Sequence, residues 1–149
     1  MIYIASPFFN EEQLQVVENI EYALASAGYE FFSPRKEAVT LKDLSPEERE
    51  RLAKEVYESN IKGMNGSNIM IAVIDDFDPG TMFEIGYFAK DMELYNKYIV
   101  TLSTKGYGAN VMISQCSDGH ANSIDDAVKI ISNIQSGKYE RENSLTTVI

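Results

Sequence analysis

A parallel β-sheet covered by helices on both faces is the architecture this chain predicts: a three-layer α/β/α fold of the flavodoxin-like or Rossmann-like kind. Three observations lead there. Short apolar runs alternate with stretches of helical periodicity in the order β-α-β-α-β-α-β-α, which implies parallel strands joined by right-handed crossovers. The run Ile69, Met70, Ile71, Ala72, Val73, Ile74 is continuously apolar and rich in β-branched residues, as a strand buried on both faces must be. Finally, 149 residues suffice for one domain with a real core and are too few for two.

Taken in order, Ile2, Tyr3, Ile4 and Ala5 read as a first buried strand ending at Ser6-Pro7-Phe8-Phe9. Residues 11–27 carry Leu14, Val17, Ile20, Tyr22, Leu24 and Ala27 at roughly helical spacing, with Gly28 placed to stop the helix. Residues 29–33 form a second short strand ended by Pro34, and residues 35–44 are polar and irregular. Ser45-Pro46-Glu47-Glu48 is a helix start, with serine as N-cap, proline at the first position and acids in the first turn. That helix is expected to run through Leu52, Val56 and Ile61 towards Gly63 or Gly66. The strand at 69–74 follows, then an acidic loop, a helix over about 81–94, a strand at 98–102 and a last helix over 122–135. The organisation is one domain over 1–137 with a polar tail at 138–149 and no internal repeat.

Composition narrows the function. A formal net charge of −10 argues against nucleic acid, which needs a basic footprint, and against anionic membrane surfaces. No apolar run approaches the length of a membrane span. Met1 leads directly into the first strand with no basic segment before it, so a soluble cytoplasmic protein is expected. One cysteine, Cys116, and one histidine, His120, leave no conventional zinc site, and no metal or cofactor is implied. Nothing supports Cys116 as a nucleophile, and it reads as a buried or incidental thiol; His120 reads as a solvent-facing residue of a polar loop.

The stretch from Asn68 to Phe88 carries the chemistry. Its strand breaks at Asp75, Asp76, Asp78, Pro79 and Gly80 and resumes as a helix bearing Glu84. In open α/β sheets the crevice beyond the carboxyl ends of the strands is where ligands bind. An acidic loop there suits a neutral or cationic group, not a phosphate. Neither GxGxxG nor GxxxxGK[ST] occurs, and Thr81 comes one residue too late for a DxDxT phosphatase motif. On a helix starting near Thr81, Glu84 would lie in the first turn, where the helix dipole favours its charged form. Its neighbours Met82, Phe83, Ile85, Tyr87 and Phe88 are mostly apolar, which predicts partial desolvation. Asp78 supplies a second carboxylate, and two carboxylates in different environments suit nucleophilic and acid/base steps at a glycosidic bond.

Four segments, in order across most of residues 1–113, resemble the nucleoside 2-deoxyribosyltransferases, which exchange bases on 2′-deoxynucleosides. Tyr3-Ile4-Ala5-Ser6-Pro7-Phe8-Phe9 is similar to the family's first strand and aromatic loop. Glu58-Ser59-Asn60-Ile61 stands where the family usually has Asn-Asp-Leu or Arg-Asp-Leu. Asp78-Pro79-Gly80-Thr81-Met82-Phe83-Glu84-Ile85-Gly86 matches its D-x-G-T-x-x-E-[IL]-G signature, and Asn110-Val111-Met112 resembles its N-L-M stretch.

The resemblance implies that Glu84 attacks C1′ of the deoxyribose, that Tyr3 orients it, and that Asp78 holds base or sugar and helps manage the proton. It implies that Phe8 and Phe9 pack on the base, with Ala5 and Gly80 also among the substrate-binding positions. Asn110 and Met112 would reach the 5′-hydroxyl end from a neighbouring subunit, which implies a homo-oligomer, a tetramer or hexamer built from dimers. Substrates would be a 2′-deoxynucleoside and a free nucleobase. Asn60 departs from the family's aspartate and cannot carry a transferable proton near neutral pH. Arg35 and Lys36 are the nearest cations for a 5′-phosphate, expected instead to be solvated or to reach polar atoms of the base. Two other readings stay open: an N-glycoside hydrolase of deoxynucleosides or their 5′-monophosphates, and a non-catalytic nucleoside-sensing module.

Overall fold

Parity along the strands divides the core into two layers. In a computed structural model describing residues 1–38, 40 and 42–139 and the backbone of 147–148, five strands form one parallel sheet: β1 (Ile2–Ala5), β2 (Phe31–Phe32), β3 (Ile69–Val73), β4 (Tyr98–Leu102) and β6 (Gly119–Ala121). Their order is β2-β1-β3-β4-β6. A two-residue strand β5 (Ala109–Asn110) pairs separately with β7 (Thr147–Val148). The helices are α1 (Glu11–Ser26), α2 (Pro34–Glu37), α3 (Pro46–Asn65), α4 (Pro79–Ala89), α5 (Met92–Tyr95), α6 (Val111–Cys116) and α7 (Ile124–Gln135). Side chains alternate between faces along a strand. Ile2, Ile4, Ile69, Ile71, Val73, Val100 and Leu102 therefore pack with Val17, Ile20 and Leu24 of α1 and Ala127 and Ile131 of α7. Tyr3, Ala5, Met70, Ala72, Ile74 and Ile99 pack with Met64 of α3 and Ile85 and Phe88 of α4 on the opposite face.

The predicted fold class holds, with local corrections. The second strand shrinks to two residues at the sheet edge, and the segment after it opens with α2; Val39 and Leu41 lie outside the described residues. Ser45 caps α3 as expected, with Glu48 completing a capping box, and of the two glycines expected to end the helix it is Gly66 that closes it, after Asn65. The helix anticipated over 81–94 is two pieces, α4 and the short α5, separated at Lys90 and Asp91. His120, expected in a solvated loop, lies on β6 and is half-buried, its Nδ1 3.0 Å from Thr101 Oγ1. Burial holds its imidazole below the ordinary pKa. That strand is short and bounded by polar residues, so no apolar run announces it. In the tail, residues 140–146 and 149 lie outside the described residues.

Strand succession reverses between β1 and β3, the switch point at which α/β sheets open a crevice. The turn leaving β3 there (Asp75–Phe77) is strained: Asp76 has φ 63° and Phe77 φ 48°. A left-handed backbone costs about 1–2 kcal/mol for a residue with a side chain, least for aspartate. Asp75 holds the turn. Only 4% exposed, its carboxylate accepts from Ser103 Oγ (2.8 Å), Thr104 N (3.0 Å), Thr104 Oγ1 (2.6 Å) and Lys105 N (3.3 Å). The loops after β3 and β4 are thereby tied into one rim. Asp75→Ala leaves these buried donors unpaired and is expected to lower unfolding free energy by about 3 kcal/mol, measured as a drop in the urea midpoint.

Candidate active site

The strained turn delivers Asp78 to the start of α4. Its Oδ2 accepts from Thr81 N (2.8 Å) and Thr81 Oγ1 (3.1 Å), an N-cap followed by Pro79 at the first helical position. A Cβ on Gly80 would lie 3.1 Å from that same oxygen, so a residue without a side chain keeps the cap uncrowded. Because α4 begins at Pro79, Glu84 falls in its second turn rather than the first. The dipole therefore does little for its charge, since that effect fades within one turn.

Burial sets the state of Glu84 instead. It projects beside the core-facing row Thr81, Ile85 and Phe88, and its Oε1 accepts a 2.6 Å hydrogen bond from Tyr3 Oη on β1. Burial, more than any other influence, pushes the Glu84 carboxyl up to about 7; the Tyr3 hydrogen bond opposes this and the nearby Asp78 charge adds to it. Burial, followed by the Glu84 charge, pushes the Tyr3 phenol far above its usual range, so Tyr3 keeps its proton and acts as a donor only. Tyr3 is fully buried and its ring stacks on Phe32 at 5.5 Å and 8° between planes.

The other predicted residues are distributed around this pair. Asn60 lies on α3, and its Oδ1 is buried without a hydrogen-bond partner. Phe8 and Phe9 follow β1 with rings 5.5 Å apart; Phe8 packs against the α1/α7 layer, while Phe9 is 76% exposed. Ala5 is enclosed in the core, so only its backbone could meet a ligand. Asn110 caps α6 by accepting from Ile113 N (3.1 Å), and Met112 beside it is 73% exposed. Arg35 is neither solvated nor free for a phosphate: its Nε (2.9 Å) and Nη2 (2.6 Å) donate to the buried Glu21. Lys36 lies over the Phe31 ring, 4.7 Å from its centroid. Phe32, Gly63 and Thr81 enter the site without having been anticipated. For Thr81 the signal was available in its spacing from the capping Asp78; for Phe32 it was not, because pairing with Tyr3 is a sheet register.

A match to the family model described as Nucleoside 2-deoxyribosyltransferase extends over residues 2–122 and so takes in Tyr3, Asp78 and Glu84. The chain belongs to this family. It is 30% identical to a solved structure from a study of the 2-deoxyribosyltransferase of the psychrotolerant bacterium Bacillus psychrosaccharolyticus, with a TM-score of 0.70 over 84% of this chain and 88% of that one. A conserved protein from Enterococcus faecalis V583 shares the fold at 17% identity, with a TM-score of 0.65 over 91% of this chain and 97% of the other. Comparison with curated proteins finds no match. None of the described helices is long and apolar enough to cross a membrane.

A depression of about 530 Å³ opens at the amino ends of β3 and β4, between Asn68, Tyr87, Asp91 and Lys97. Its one ammonium is already engaged. Lys97 Nζ donates to the Met64 and Asn65 carbonyls (3.1 and 3.5 Å) and sits 4.7 Å from the Phe88 ring centroid. The cation closes the end of α3 and is not offered to a ligand.

The raised pKa of Glu84 has a consequence for stability. Between its ordinary value of 4.5 and about 7 the folded chain holds more protons than the unfolded one, so folding weakens as pH rises through that window. Glu84→Gln, which keeps an acceptor for Tyr3, is expected to stabilise the protein at about pH 8 by on the order of 3 kcal/mol and to change little at about pH 4. Thermal melts at both pH values test this.

Proposed function

We propose that the protein exchanges the purine or pyrimidine base of 2′-deoxynucleosides by double displacement through Glu84, in the service of nucleoside salvage. The observation that carries this is the buried Tyr3–Glu84 hydrogen bond at the switch point of a sheet whose family exchanges deoxyribosyl groups. In the first step a Glu84 carboxylate oxygen bonds to C1′ while the C1′–N bond breaks. Its electron pair goes to the departing base, which takes up a proton. In the second step a nitrogen of the incoming base attacks C1′, the ester C–O bond breaks, the base nitrogen loses its proton and the Glu84 carboxylate is restored. A negative site stabilises the oxocarbenium-like character of both transition states.

The remaining roles follow from placement. Tyr3 holds one oxygen of Glu84, leaving the other to attack. Asp78 has Oδ2 committed to Thr81, so its part is to raise the local negative charge and to hold sugar or base through its other oxygen. Asn60 offers a buried acceptor without a partner, suited to a donor on the base, but no transferable proton. The exposed Phe9 supplies an aromatic face for the base, and Phe8 backs it. Gly80 and the Ala5 backbone line the approach. Exposed Met112 and neighbouring Asn110 complete the site of a second subunit in a homo-oligomer. The exposure of Phe9 and Met112 also favours a second reading for any isolated chain: with the rim open, water resolves the ester and the outcome is hydrolysis. A sensing module without turnover is the reading left if no bond to C1′ forms.

Chromatography of thymidine with free adenine is the test. A new deoxynucleoside, absent with Glu84→Ala, is the expected outcome, with a rate that rises through about pH 7 as Glu84 ionises. Free base and deoxyribose alone would mean hydrolysis; no turnover and no covalent adduct by intact-protein mass spectrometry would leave the sensor. Asn60→Asp is expected to raise the exchange rate by up to about 100-fold, the lower range of what a general acid contributes; an unchanged or lower rate would show that asparagine is not a handicap there.

A further inference from the structure

Gly63 presents a packing problem whose solution leads to Glu84. It lies inside α3, which continues to Asn65 and is capped by Gly66, so it does not end the helix. A glycine within a helix costs about 1 kcal/mol against alanine, and Gly63 is in helical conformation, so no unusual backbone angle calls for it. The reason is contact. A Cβ on Gly63 would stand 2.8 Å from Cγ and Cδ1 and 2.9 Å from Cε1 of the Phe32 ring. The backbone of α3 thus lies directly against Phe32.

Phe32 needs that support. It sits on the two-residue edge strand β2, opposite Tyr3 in the parallel register, and its ring lies almost flat on the Tyr3 ring. Tyr3 in turn donates to Glu84 across 2.6 Å. The contacts form one line: α3 backbone, Phe32, Tyr3, Glu84.

We propose that Phe32 and Gly63 are positioning residues that hold the Tyr3 hydroxyl against Glu84, Phe32 as the wall behind the Tyr3 ring and Gly63 as the close approach that lets α3 brace that wall. The proposal rests on the reading of Glu84 as the reacting group. A methyl at Gly63 forces the Phe32 ring to retreat from 2.8 Å towards the ordinary contact range of 3.4–4 Å. A displacement of that size, passed through stacked rings, is enough to open a short hydrogen bond. Catalytic geometry tolerates about 0.5 Å, and a misplacement near 1 Å can lower a rate about 100-fold.

The test compares Gly63→Ala, Phe32→Leu and Tyr3→Phe, singly and as Gly63→Ala/Tyr3→Phe and Gly63→Ala/Phe32→Leu. Two readouts are taken: kcat and KM for base exchange, and the Glu84 titration midpoint from the carboxyl ¹³C resonance, which needs no substrate. Among the described residues, the ionisable groups acting on Glu84 are Tyr3 from β1 and Asp78 at the head of its own helix. Loss of the Tyr3 bond removes a group that favours the charged carboxylate, so Tyr3→Phe is expected to raise the midpoint.

Gly63→Ala is expected to move the midpoint the same way, to lower kcat about 10- to 100-fold with KM within about 2-fold, and to add nothing on the Tyr3→Phe background. In Gly63→Ala/Phe32→Leu the smaller side chain makes room for the methyl, and part of the loss is recovered. Should Gly63→Ala fail to fold, Phe32→Leu, which intrudes on nothing, is expected to show the same non-additivity with Tyr3→Phe. A lowered melting temperature with midpoint and kcat unchanged, or effects additive with Tyr3→Phe, would overturn the proposal. A wild type without base exchange whose midpoint still shifts as described would overturn the functional reading and leave the positioning of Glu84 standing.

Discussion

The hydrogen bond from Tyr3 to Glu84 joins the first strand to a helix 81 positions further along the chain, and much of the architecture serves to make it possible. A carboxylate at the edge of an apolar core is unfavourable unless a donor meets it. The donor that meets it is a phenol already buried for its ring. Tyr3 qualifies because strand parity turns it towards the α3/α4 layer and because the parallel register sets Phe32 against its face. The outcome is a carboxyl whose pKa burial pushes up to about 7, so that it changes charge around neutral pH.

The chain meets that requirement by concentrating strain and polar burial at the switch point. Two successive left-handed residues, one of them a phenylalanine, turn the chain out of β3. Asp75 compensates by gathering Ser103, Thr104 and Lys105 onto one carboxylate. Asp76 then reaches Lys105 (3.0 Å) and Gln13 (3.2 Å), so that α1 and the loops after β3 and β4 share one polar rim. Strain held this way by its surroundings is characteristic of functional sites, and here it aims Asp78 so that α4 starts where Glu84 can face Tyr3. The Arg35–Glu21 pair does comparable work on the other layer, tying the end of β2 to α1.

Membership of the family accounts for the recurring residues, and the departures mark what is particular to this chain. Asn60, a neutral amide where the resemblance leads one to expect an acid, has its side-chain oxygen buried without a partner among the described residues. Such an atom is disfavoured in a folded chain, which is understandable if a ligand completes it. Phe9 and Met112, an aromatic and a thioether, are largely exposed.

Much was legible in the chain before any coordinates. The alternation of apolar runs and helical stretches determined the layered fold, because burial on both faces leaves a parallel strand no polar positions. The N-cap at Ser45 and the four motif segments were legible as well, and the family those segments resemble is the one the chain belongs to. The fifth strand, with His120 on it, was hidden because three residues bounded by polar neighbours carry no periodicity. The second-turn position of Glu84 depended on an N-cap hydrogen bond formed only after the strained turn, whereas the desolvation that raises its pKa was legible in its apolar neighbours. Gly63 was one of two glycines, with Gly66, that read as helix stops; that it makes a close approach to Phe32 instead depends on two elements meeting in space. A sequence determines which groups are present and which faces they share, whereas distances between elements, and the desolvation those distances create, belong to the tertiary structure.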